Sequence, residues 1–104
     1  MEKGCITLDR KATDLLGRIV SLSAGAASDE VREVYDQILE LIEGHNIDAR
    51  EGSMLNMGDY DRFVVITKKP RGFELGYRNN GERGHYSIKK GLFGRFYVAP
   101  RRAS

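Results

Sequence analysis

Few side chains in this sequence are equipped for covalent or metal chemistry. His45 and His85 are the only histidines and Cys5 is the only cysteine. No His-x-x-x-His or Cys-x-x-Cys spacing is present, so neither a metal site nor any other cofactor is expected, and a single cysteine excludes an intramolecular disulfide. Pairing Cys5 with a distant histidine as nucleophile and base rests on no motif. A Gly-x-x-x-x-Gly-Lys-Ser/Thr phosphate cradle is also absent, so the glycines read as turn residues. What remains is the chemistry of charge and flat rings. Arg78, His85, Lys89, Arg95 and Tyr97 combine cations that hold phosphate with a ring on which a base can stack. The same set contains the groups of a metal-independent RNase, with His85 or Tyr97 moving protons beside Lys89 and Arg95. A second set, Glu33, Asp36, Glu40 and Glu43, is purely acidic.

These two sets belong to oppositely charged halves. Of 104 residues, 17 are Lys or Arg and 15 are Asp or Glu, a net charge of +2. Residues 1–60 hold six of the cations and twelve of the anions, a balance of −6; residues 61–104 hold eleven and three, a balance of +8. Such a division signals either mutual compensation or two surfaces made for different partners. The length fits one domain with a modest core. Phe63–Ile66 is an apolar run of four residues, against the ~20 of a membrane helix, and Met1–Cys5 lacks the apolar stretch of a signal peptide. A cytoplasmic protein without a membrane partner is the expectation.

The acidic half reads as helical. Leu8, Ala12, Leu15, Leu16, Ile19 and Leu22 form one apolar stripe, predicting a helix over 8–23 with Thr7 as its cap and Asp9 in its first turn. Ser23–Ala27 lacks large apolar side chains and reads as a connection. Val31, Val34, Tyr35, Ile38, Leu41 and Ile42 predict a second helix over 29–43, with Ser28 capping it and Gly44 ending it. On its opposite face Glu33, Asp36, Glu40 and Glu43 follow one another at steps of three, four and three, with Arg32 as the local counter-charge. Residues 45–59 show no clean period and read as irregular, with Met54, Leu55 and Met57 packing as a plug over the core.

The basic half reads as a sheet. Runs at 62–67, 73–78, 85–89 and 95–99 are rich in β-branched and aromatic residues. Lys69–Gly72, Asn79–Gly81 and Gly91–Gly94 carry turn chemistry between them, so four strands in a meander are expected. A short strand at Cys5–Thr7 is a candidate for the edge. The fold class is therefore α+β, two N-terminal helices packed on a C-terminal antiparallel meander. Alternation puts Phe73, Leu75, Tyr77, Tyr86, Ile88, Phe96 and Val98 on one face for the helices. The other face receives Arg78, His85, Lys89, Arg95 and Tyr97, with Lys68, Lys69, Arg71, Lys90, Arg101 and Arg102 extending the charge at turns and tail. Phe63–Ile66 is apolar on both sides, as an interior strand would be.

The segment Met57-Gly58-Asp59-Tyr60-Asp61-Arg62 leading into Phe63-Val64-Val65-Ile66, with helices ahead of a basic sheet, resembles RelE-type mRNA-cleaving toxins in outline. Asp61 interrupts the Gly-Asp-Tyr-Arg strand entry of that family, and no catalytic assignment carries over. The resemblance implies RNA cleavage as one activity. The residues themselves favour a non-enzymatic binding domain whose basic sheet face contacts nucleic acid or an acidic protein surface. The alternative is an inhibitor or regulator of viral or mobile-element type, docking its acidic helix stripe on a basic protein target. An exposed sheet edge also allows a homodimer.

Overall fold

The computed structural model describes residues 5–7, 10–59 and 61–100. Along the chain follow β1 (Cys5–Thr7), α1 (Arg10–Ser21), α2 (Ser28–Gly44), β2 (Ser53–Asp59), β3 (Arg62–Lys69), β4 (Gly72–Asn79), β5 (Glu82–Lys90), a 3-10 turn (Leu92–Gly94) and β6 (Phe96–Pro100). The sheet keeps sequence order: β2 to β6 form an antiparallel meander, and β1 adds to β2 in parallel at one edge. The expected α+β arrangement is found, with five meander strands in place of four.

Both helices follow from their apolar stripes. Leu15, Leu16 and Ile19 of α1 and Val31, Val34, Ile38 and Ile42 of α2 are buried in one core with the sheet. Their ends depart from expectation. Thr7 belongs to β1, and Leu8 and Asp9 lie outside the described residues. Ala27 occupies the cap position of α2 without a side-chain bond. Ser28 is already helical, and its Oγ accepts a 2.9 Å hydrogen bond from the backbone N–H of Phe96, tying α2 to β6. At the other end Gly44 stays within the helix and Asn46 takes the left-handed conformation, with φ 53°. Ile47 N–H reaches Ile42 O at 2.9 Å and Asn46 N–H reaches Glu43 O at 3.3 Å, the paired bonds of a Schellman closure. Ile47, just beyond this closure, packs against the core.

Residues 53–59 correct the plug reading. They form β2, with Leu55 fully buried opposite Val64 and Met54 paired with Val65 on the far face. Ser53 is buried and its hydroxyl donates to Asp48 O at 2.8 Å, so an inward polar residue is satisfied locally. Asp48 also accepts from the Arg50 guanidinium and backbone N–H, which hold its carboxyl down at about 2. The side chain of Met57 lies outside the described residues. Between Asn56 and Asp59 the register shifts, so Met57 and Gly58 bulge where β3 has nothing to match them.

The inner sheet face is as parity predicts. Phe73, Leu75, Tyr86, Ile88, Phe96 and Val98 are buried, and Tyr35 of α2 packs its ring 5.2 Å from Phe73 and 4.9 Å from Phe96. The Tyr86 hydroxyl donates to Ile19 O at 2.7 Å, joining β5 to α1, and burial raises its phenol far above the ordinary value. β3 is interior, between β2 and β4; Val64 and Ile66 are buried inward, whereas Phe63 and Val65 stand half-buried on the outer face. No helix among the described residues is long and apolar enough to cross a membrane.

Candidate functional site

With both helices on the inner face, no described element covers the outer one. Strand pairing orders that face into rows. Phe63, Arg78 and Arg83 form one; Met54, Val65, Gly76 and His85 the next; Thr67, Glu74, Ser87 and Ala99 a third; and Lys69, Gly72, Lys89 and Tyr97 the last. Two shallow grooves lie along these rows. One, about 560 Å³, has Phe63 and Val65 among its lining residues with Arg78, Arg83 and His85. The other, about 550 Å³, is lined by Lys69, Arg71, Lys89 and Tyr97 among others. Glu74 borders both.

The first groove is shaped by a glycine. A Cβ on Gly76 would stand 3.0 Å from Cδ2 of His85, so the imidazole occupies the space that a side chain on β4 would take. Arg78 and Arg83 stand directly opposite on adjacent strands, an unfavourable like-charge pair. Asp61, in the β2–β3 turn, relieves it through a 2.8 Å bond to Arg78 Nε. Arg78 is thus partly neutralised, and Arg83, which residue typing passed over, is the freer cation. The Asn80-Gly81 turn held the signal for it: both residues have positive φ, 52° and 90°, as a two-residue hairpin requires, and that register sets Arg83 opposite Arg78.

The second groove occupies the end of the sheet where the β3–β4 turn meets the β5–β6 connection. Gly72 permits it, because a Cβ there would fall on Ile88 O, so the strands can approach only with glycine. Lys69, Arg71 and Lys89 are exposed here, and Tyr97 is 45% exposed. Lys68 and Lys90, by contrast, turn inward. Their ammonium groups lie 5.6 Å from the Phe73 ring and 6.0 Å from the Phe96 ring, capping the aromatic cluster on the helix side. Arg95 lies outside β6, exposed at the end of the 3-10 turn. Arg101 and Arg102 fall outside the described residues.

The five sequence-selected residues therefore split. Arg78 and His85 belong to the first groove, Lys89 and Tyr97 to the second, and Arg95 to the turn beside it. His85 and Lys89 are four residues apart on β5, about 13 Å at roughly 3.3 Å per residue. Tyr97 sits opposite Lys89, so His85 and Tyr97 cannot flank one phosphate. This spread suits a polyanion lying across the face better than a single reaction centre.

On α2, Glu33, Asp36, Glu40 and Glu43 are all exposed. Arg18 of α1 pairs with Glu33 and also donates to Gln37 Oε1 at 3.0 Å, a relief across the helix pair that the sequence periodicity did not disclose. Arg32 lies 3.8 Å from Asp36. Of these four, Glu40 and Glu43 have no ion pair among the described residues. No group of three or more His, Cys, Asp or Glu capable of holding a metal occurs among them either. Comparison with protein-family models, with curated proteins and with solved structures returned no match, so the outline likeness to RelE-type toxins gains no support from relatives.

Proposed function

We propose that this protein is a non-enzymatic nucleic-acid-binding domain that captures phosphates along the outer face of its sheet. The row Lys69–Gly72–Lys89–Tyr97 carries the reading: two cations and an exposed ring share one line across three adjacent hairpin strands and β6, and Arg71 extends it at the turn. Arg83 adds a further cation roughly 20 Å along β5 from Lys89. Phosphates repeat along a strand, so separated cations serve a polyanion where they would not serve a small ligand.

Fluorescence anisotropy with labelled single- and double-stranded DNA and RNA at two salt concentrations tests this. Affinity is expected to fall steeply with salt, and Lys89→Glu and Arg95→Glu to weaken binding without unfolding the chain. No binding at low salt, or binding indifferent to both substitutions, would contradict the proposal. The acidic stripe supports a second reading, an inhibitor of a basic protein target, through Glu40 and Glu43 alone. That reading expects Glu40→Lys with Glu43→Lys to abolish target binding, where the nucleic-acid reading expects retention or gain. RNA cleavage lost in His85→Ala would favour the toxin-like reading instead.

A further inference from the structure

The connection between β5 and β6 exposes the two most solvent-accessible large apolar side chains described. Leu92 is 76% exposed and Phe93 is as open as an isolated residue, at 104%. Phe93 also has φ 64° and ψ 22°, a left-handed conformation that bulky residues rarely adopt. The turn is closed beneath it by Gly91 N–H to Arg95 O at 2.6 Å and by the Lys90–Phe96 pairing. No packing explains a phenyl ring held outward at the cost of backbone strain. The surroundings do suggest a partner. A Cβ on Gly91 would stand 3.2 Å from Tyr97 Cε1, so the Tyr97 ring lies against the base of the same turn. Lys89 pairs with Tyr97, and Arg95 follows the turn directly. Two exposed rings flanked by cations that would hold phosphates match unpaired bases, whose faces stack on aromatic side chains while the backbone is neutralised alongside.

Resting on the nucleic-acid reading, we infer that the ligand is single-stranded, with Tyr97 and Phe93 as stacking platforms and the Gly91–Gly94 turn as the element that selects unpaired bases over duplex. The test titrates the full chain against a labelled single strand, the matching duplex, and vesicles of phosphatidylcholine with phosphatidylserine. The single strand is expected to bind more tightly than the duplex. Phe93→Ala is expected to weaken single-strand binding on the order of 5- to 150-fold, the usual loss of one stacked base, and Phe93→Trp to preserve it. The salt slope of Phe93→Ala should match the parent, because no phosphate contact is removed. Phe93→Gly, which relieves the left-handed backbone and so keeps the turn folded, serves as the second variant and should lose binding equally. Single-strand binding unaffected by Phe93→Ala, or equal affinity for duplex, would overturn the inference while leaving phosphate capture intact. Vesicle binding that depends on Phe93, with oligonucleotide binding independent of it, would overturn it in favour of a membrane surface. No oligonucleotide binding at all would overturn both readings.

Discussion

Tyr86 illustrates how one side chain serves two elements. Its ring fills the inner sheet face while its hydroxyl reaches Ile19 O in α1, and burial, with the nearby Tyr77 as a smaller influence, disfavours the phenolate. Because the folded state resists ionisation, its contribution is fully present below the ordinary tyrosine value near 10 and declines as pH rises above it. Tyr86→Phe should lower stability by about 1 kcal/mol at neutral pH and flatten the alkaline decline relative to the parent, as read by denaturant unfolding from pH 8 to about 11. On the opposite face Glu74 is the acid bordering both grooves. Glu74→Gln should raise oligonucleotide affinity about two- to fivefold at low salt, and titration of that variant checks it.

Among the elements, β2 and the helix ends show where sequence reading reached its limit. Apolar periodicity disclosed α1, α2 and the strands from β3 onward, because each carries its own buried face. Ser53–Asp59 does not: only Leu55 is both apolar and fully buried among its described side chains, and the strand exists through pairing with β1 and β3. Residue type makes Ser28 a cap, but its hydroxyl instead accepts from Phe96 N–H. Ser28→Ala should therefore cost about 1–2 kcal/mol and raise hydrogen exchange at the Phe96 amide, not at the first turn of α2. Gly72→Ala should be worse, at least about 2 kcal/mol by thermal unfolding, since its Cβ meets the Ile88 carbonyl and the hairpin must shift. The site was legible in the same partial way. Strand parity found the outer-face residues, but parity carries no distance along a strand, so the separation of His85 from Tyr97 needed the register.

At the scale of the whole molecule, the −6 half supplies both helices with β1 and β2, and the +8 half supplies β3 to β6, leaving a largely acidic helical layer and a sheet whose basic outer face is bare of any described element. Part of the acidity is spent internally, as Arg18 with Glu33 shows, and Lys68 and Lys90 are likewise drawn onto core rings. The cations left outward, Lys69, Arg71, Arg83, Lys89 and Arg95, are those expected to meet phosphate. The most direct test is the salt dependence of single-strand binding for the parent and for Lys69→Glu with Lys89→Glu. The parent should show log affinity falling linearly with log salt, and the double variant at least a tenfold loss at low salt with a slope shallower by about one to two. Unchanged affinity and slope in a folded double variant would contradict phosphate capture by this face.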